Sequence, residues 1–125
     1  MSFKTLMIIK AVVCLGFGIA FIFFPGFLLS IFGVKLGAGG LFTARAYGAA
    51  LWGNLILTWF ARNADHSDAR HAIILAMFLY DLIGFVVSLV NTLTGVLNVM
   101  GWLVVFVYLF FTVTFGYFLI KKPTR

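Results

Sequence analysis

Four apolar runs follow one another along the chain, separated by short polar or glycine-rich punctuation. A membrane-crossing helix needs roughly 20 predominantly apolar residues, and the stretches at about 5–24, 41–61, 70–91 and 99–120 satisfy that requirement. The first stops at Phe24-Pro25-Gly26, because proline disfavours helical geometry in the residue before it. The second follows Gly37-Ala38-Gly39-Gly40, and the fourth ends at Lys121, Lys122 and Pro123. Between the first two lies PGFLLSIFGVKLGAGG, too short to span and too apolar for a free loop. It predicts a brief interfacial helix, Phe27 to Phe32, lying in the membrane surface. The expected fold is all-α: a single transmembrane domain over 1–125, built as an integral membrane four-helix bundle with a short interfacial helix between the first two spans.

Composition moves the chain firmly into lipid. It is 64% hydrophobic and only 10% charged, whereas a soluble domain carries about 25% charged residues, so it cannot cover itself with a water-compatible surface. Membrane lipids are its first expected partners. The net charge of +6 does not point to nucleic acid, since the basic residues sit at helix ends and not along a stripe interleaved with stacking aromatics. The single cysteine, Cys14, excludes an internal disulfide and a thiolate metal cluster. Val13 stands where a lipobox wants a small residue, and no A-x-A-like site precedes Pro25, so the first run is expected to stay as an anchor.

Charge also sets an orientation. With both termini on one side, that side carries Lys4, Lys10, Arg62, Arg70, Lys121, Lys122 and Arg125, against Lys35 and Arg45 on the other. The positive-inside rule then places both termini and the second loop in the cytoplasm. That loop holds Asp65, His66, Ser67 and Asp68 at the start of the third helix, where acids and serine complement unsatisfied backbone N–H groups. A metal site from Asp65, His66, Asp68 and His71 is the rival reading, and helix capping explains the same residues.

The candidate chemistry centres on Asp81, an acid near the middle of the third run. An ionisable side chain at that depth is normally turned toward protein or water and is a functional candidate by default. Counted from the cytoplasmic basic residues at about 1.5 Å per residue, Asp81, Asn54, Tyr108, Thr112 and Cys14 share a layer near mid-membrane. Asp81, Gly84, Ser88 and Asn91 follow a 3-4-3 spacing on one face of the third helix. Tyr47, Ala50, Asn54 and Thr58 form a stripe on the second, and Asn98, Val105, Thr112 and Gly116 one on the fourth. Arg45 is the obvious counter-charge, but it lies nearer the outer surface and on the face opposite Asn54, where it is expected to snorkel outward. It groups instead with Ser88 and Asn91 as a candidate outer-end site. An acid without a fixed cation is expected to be a neutral carboxyl hydrogen-bonded to Asn54, Tyr108 or Thr112.

The second run carries the strongest packing signal. In ARAYGAALWGN the small residues Ala44, Ala46, Gly48, Ala49, Ala50 and Gly53 let another backbone approach closely, and Gly84 does the same on the third helix. One face is expected to meet a neighbouring helix and another a second protomer or partner subunit. No histidine lies in the interior of a span, no nucleophile has a base at useful spacing, and no glycine-rich phosphate loop follows a strand. No cofactor and no enzymatic role are therefore expected.

FIFFPGFLLSIFGV and LFTARAYGAALWGNLILTWFARN resemble stretches of small four-span bacterial membrane proteins loosely grouped as DoxX-like. The shared features are an aromatic-Pro-Gly end to the first helix, Arg45 with Gly48 opening the second, and Ala61-Arg62 closing it. The resemblance implies the four-helix membrane fold. Redox association is linked with that group, and this chain has no cysteine pair to go with it. The expected role is an accessory or assembly subunit of a membrane complex, or a homo-oligomer. Alternatives are a small transporter or channel with a proton- or ion-linked site at Asp81, and a lipid- or quinone-binding membrane protein.

Overall fold

The computed structural model describes residues 1–121, and within them every regular element is helical. Lys122, Pro123 and Arg125, which enter the charge count and the expected stop of the last helix, lie outside the described residues. The chain forms two compact units, Met1–Asn63 and the part from Ala64 onward.

The first unit contains α1 (Phe3–Phe23), α2 (Pro25–Ile31) and α3 (Ala38–Ala61). Ser2 opens α1 by accepting the Thr5 N–H on its hydroxyl at 3.1 Å. The helix breaks at Phe24, and Pro25 becomes the first residue of α2, a position where a missing N–H costs nothing. The short helix thus begins two residues before the expected Phe27. After α2 the chain turns at Gly33, whose φ of 79° is a left-handed conformation natural to glycine, and Val34 N–H closes onto the Leu29 carbonyl at 2.9 Å. α3 starts at Ala38, three residues earlier than the apolar run indicates, because Gly39 and Gly40 are accommodated in its first turn.

α1 and α3 pack antiparallel. Gly18 lies against Trp52, while Gly48 lies against Phe21, Ile22 and the Gly18 carbonyl. A methyl group at Gly48 would sit 3.1 Å from that carbonyl oxygen, so these two backbones approach as closely as glycine allows. The rings of Phe21 and Tyr47 meet edge to face at 5.0 Å. The buried face of α3 is Ala44, Gly48, Leu51 and Thr58, displaced from the expected Tyr47–Ala50–Asn54–Thr58 stripe because Gly48 sets the closest approach.

The second unit is the hairpin of α4 (Asp68–Leu93) and α5 (Gly101–Ile120). Ser67 caps α4, its hydroxyl accepting the Arg70 N–H at 3.1 Å, with Asp68 in the first turn as the loop composition implied. Between the helices Gly95 adopts a φ of 84°. Asn98 belongs to this turn and not to the buried stripe assigned to it: its side-chain carbonyl accepts the Met100 N–H at 2.9 Å, and α5 begins only at Gly101. Along the hairpin Phe78 packs on Gly116, Tyr108 on Gly84 and Thr92 on Gly101, an antiparallel register with large side chains set into glycine notches.

α1, α4 and α5 are each long and apolar enough to cross a membrane, the property of an integral membrane protein. α3 is equally long, but Arg45, Asn54 and its glycines dilute its hydropathy, and it does not reach the same standard by composition.

Candidate functional site

Asp81 lies at the centre of the α4–α5 seam. The buried residues of α4 are Ile74, Met77, Asp81 and Ser88, a 3-4-7 spacing that is one stripe of the helix. The carboxylate residue has 0% of its surface exposed. On α5 the buried stripe is Gly101, Val105, Thr112 and Phe115, joined by Phe111. The pairs Phe78–Gly116 and Gly84–Tyr108 bracket Asp81, so the antiparallel register puts Thr112 level with it. Tyr108, half-buried, covers Gly84 one turn further along and meets the Tyr80 ring at 6.2 Å. Asp81, Thr112 and Tyr108 therefore share one part of one hairpin.

The hydroxyls around this acid are mostly occupied by their own helices. Thr112 donates to the Tyr108 carbonyl at 2.7 Å, Ser88 to Phe85 at 3.1 Å, and the Asn91 amide to Val87 at 2.7 Å. Thr92, Thr94 and Thr114 do the same. In an apolar medium every polar proton needs an acceptor, and the carbonyl one turn back is the nearest. Once the single hydroxyl proton of Thr112 or Ser88 is so used, only acceptor capacity remains there for a ligand or a neighbouring acid.

The first hairpin holds the other candidates. Continuing the register of Gly18–Trp52 and Phe21–Gly48 places Cys14 level with Asn54, and Lys10 level with Thr58. The mid-membrane layer drawn from sequence thus resolves into a pair, Cys14 and Asn54, in the first hairpin and a trio, Asp81, Thr112 and Tyr108, in the second. Cys14 is buried, Asn54 half-buried, and the Thr58 hydroxyl, fully buried, donates to the Asn54 carbonyl at 2.7 Å.

Lys10 is the residue whose burial reading by charge did not reveal. Grouped above with the cytoplasmic ends, it is only 3% exposed and lies on the buried face of α1 with Leu6, Met7 and Cys14. The signal for this was its place in the stripe, one turn before Cys14 and one turn after Leu6, set against its charge, which drew it into the count of helix-end cations.

Arg45 projects toward the end of the first hairpin where α1 breaks. Its Nε donates to the Ile22 carbonyl at 3.2 Å, one of the last carbonyls of α1, where a cation complements the helix dipole. Its residue partner thus comes from its own hairpin, while Ser88 and Asn91, grouped with it above, belong to the second unit and bond to their own helix. Of the small residues, Gly48 and Gly84 are in close contact, whereas Ala49 and Gly53 are exposed, with nothing within 4 Å of where a Gly53 methyl would be.

In the loop, Asp65, His66, Asp68 and His71 are all exposed, and no group of three metal-ligating side chains gathers among the described residues. Arg70 reaches back to donate to the Ala64 carbonyl at 3.1 Å, and Arg62 lies over the Trp59 ring at 4.0 Å. Both ties hold basic side chains at the helix ends that flank the loop. No family model, no curated protein and no solved structure matches the chain.

Proposed function

We propose that this chain is a four-span protein of the bacterial inner membrane, with cytoplasmic termini, that works as an accessory or assembly subunit of a membrane complex or as a homo-oligomer. The fourth span is α3: it runs antiparallel along α1, so a crossing α1 carries α3 across beside it, and its arginine already has a carbonyl partner in Ile22. Without the buried Lys10, the orientation rests on Lys4, Arg62, Arg70, Lys121, Lys122 and Arg125 against Lys35 and Arg45. The likeness to DoxX-like proteins belongs to the same reading, carried by the Pro25 break and by Arg45 and Gly48.

The observation that carries the association role is the two-sided distribution of small residues on α3. Ala44 and Gly48 serve the contact with α1, while Ala46, Ala49, Ala50 and Gly53 are exposed and leave a second face open to close helix approach. Native mass spectrometry of the protein released gently from its own membranes tests this. A stoichiometric second polypeptide or a discrete homo-oligomer is expected, and a bare monomer overturns the reading.

The complete burial of Asp81 supports a second reading, a transporter or channel with a proton- or ion-linked site. Purified protein in proteoliposomes would then move protons or ions alone, and Asp81→Asn would abolish the flux. Flux unchanged in that variant removes the reading.

A further inference from the structure

We infer that the α2 end of the first hairpin binds an anionic phospholipid, with the Arg45 guanidinium receiving its phosphate; this rests on the membrane reading above. Residues 1–63 contain Lys4, Lys10, Lys35, Arg45 and Arg62 and no aspartate or glutamate. Two of those cations, Lys35 and Arg45, belong to the α2 end, and both are exposed. This unit therefore has no carboxylate of its own to neutralise them.

Arg45 is the eighth residue of α3, so its Cα lies about 10 Å inside the helix start. Its side chain extends back toward that end, where the Ile22 carbonyl takes the Nε proton at 3.2 Å. That bond fixes the plane of the guanidinium and leaves Nη1 and Nη2, which have no protein acceptor among the described residues. In water these donors would be solvated, but just below a bilayer surface the available acceptors are lipid headgroups. A phosphodiester presents two oxygens that match the guanidinium fork.

The surroundings select a lipid over a free ion. Phe42, one turn before Arg45, is 74% exposed, and Phe23, Phe24 and Phe27 at the break after Ile22 are also open, so this end of the hairpin presents aromatic surface suited to acyl chains. α2 is short and apolar, with Pro25 its one buried residue, as befits a segment lying in the interface. Lys35, in the loop leading to α3, adds a second positive charge at headgroup level. Two cations without an acid favour a headgroup of net negative charge over a zwitterionic one.

The test uses the full chain reconstituted in phosphatidylcholine vesicles containing phosphatidylglycerol, with bound lipid counted by native mass spectrometry. Wild type should retain phosphatidylglycerol in preference to phosphatidylcholine. Arg45→Gln should weaken that retention roughly tenfold, the loss of one charge-assisted contact. Lys35→Gln should weaken it less, because it supplies charge without the fork. Should Arg45→Gln lose its helical circular dichroism, Arg45→Lys decides: it keeps the charge, loses the fork, and should fall between wild type and Gln. Equal retention of both lipids by wild type, undiminished retention in the folded Arg45 variants, or full displacement by inorganic phosphate overturns the lipid site. Release of wild type from vesicles by alkaline carbonate overturns the membrane reading itself, a separate result.

Discussion

The two hairpins solve one problem by different means. In the first, Gly18 faces the Trp52 ring, but at Gly48 glycine meets main chain: Gly48 sits against the Gly18 carbonyl and the Cβ of Phe21, so the helices close there on groups that cannot move aside. In the second, Gly84 and Gly116 each meet only the ring of a side chain, Tyr108 and Phe78 respectively. They differ in charge as well: the first buries a lysine, Lys10, in its seam, and the second an aspartate, Asp81. The difference teaches that a glycine in a span has no fixed cost of substitution. That cost depends on whether the atom facing it is main chain or the end of a side chain.

The largest effect is expected where the contact is least able to yield. A leucine at Gly48 must push apart two backbones, since even its Cβ would lie 3.0 Å from Phe21 Cβ and 2.7 Å from Ile22 Cγ1. Gly48→Leu should lose about 3 kcal/mol, read from denaturation in mild detergent. A loss below that of Gly84→Ala would break the contrast between the hairpins.

Next comes the buried acid. Asp81 is wholly buried and makes polar interactions there, so Asp81→Leu, which removes its hydrogen-bonding capacity, should cost about 2 kcal/mol. Asp81→Asn retains hydrogen-bonding capacity and should keep most of that stability. Equal melting temperatures for the Leu and Asn variants would show that polarity at this position is not what matters.

Gly84→Ala should cost about 1 kcal/mol, because the Tyr108 ring can rotate away from a methyl group. The same substitution combined with Tyr108→Leu should cost less than the two separately, and a double-mutant cycle measures that coupling. Strictly additive effects would place the strain elsewhere. Smallest of all is Gly53→Leu, which enters open space and should change the stability of the isolated chain by less than about 0.5 kcal/mol. Its effect belongs to association: a shift in oligomer distribution on native mass spectrometry is expected, and an unshifted distribution argues against the outward face of α3 as an interface.

Much of the fold was legible because a bilayer imposes it. Apolar run length, the Pro25 stop and the Ser67 cap are local features, and each helix lies within three residues of the expected start and end. The pairing of Asp81 with the level of Thr112 was also legible, since helical rise converts residue number into depth. Other features were not. Lys10 was counted by its charge among the basic helix-end residues of the cytoplasmic side, although its helical phase put it beside Leu6 and Cys14. The hydroxyls of Thr112 and Ser88 read as partners for another helix, and each gives its proton to its own backbone instead.

By itself, then, the sequence determined the helical class, the number and approximate limits of the long helices, and the presence of an acid at mid-span, because these depend on composition and periodicity within single segments. Only tertiary structure decided that Gly48 closes one hairpin on backbone while Gly53 stays open, that Lys10 is buried, and that Arg45 spends its Nε on Ile22. Those outcomes depend on which face of each helix meets its neighbour. Small residues occur nearly all round the first half of α3, so its periodicity leaves that rotation undetermined until α1 packs against it.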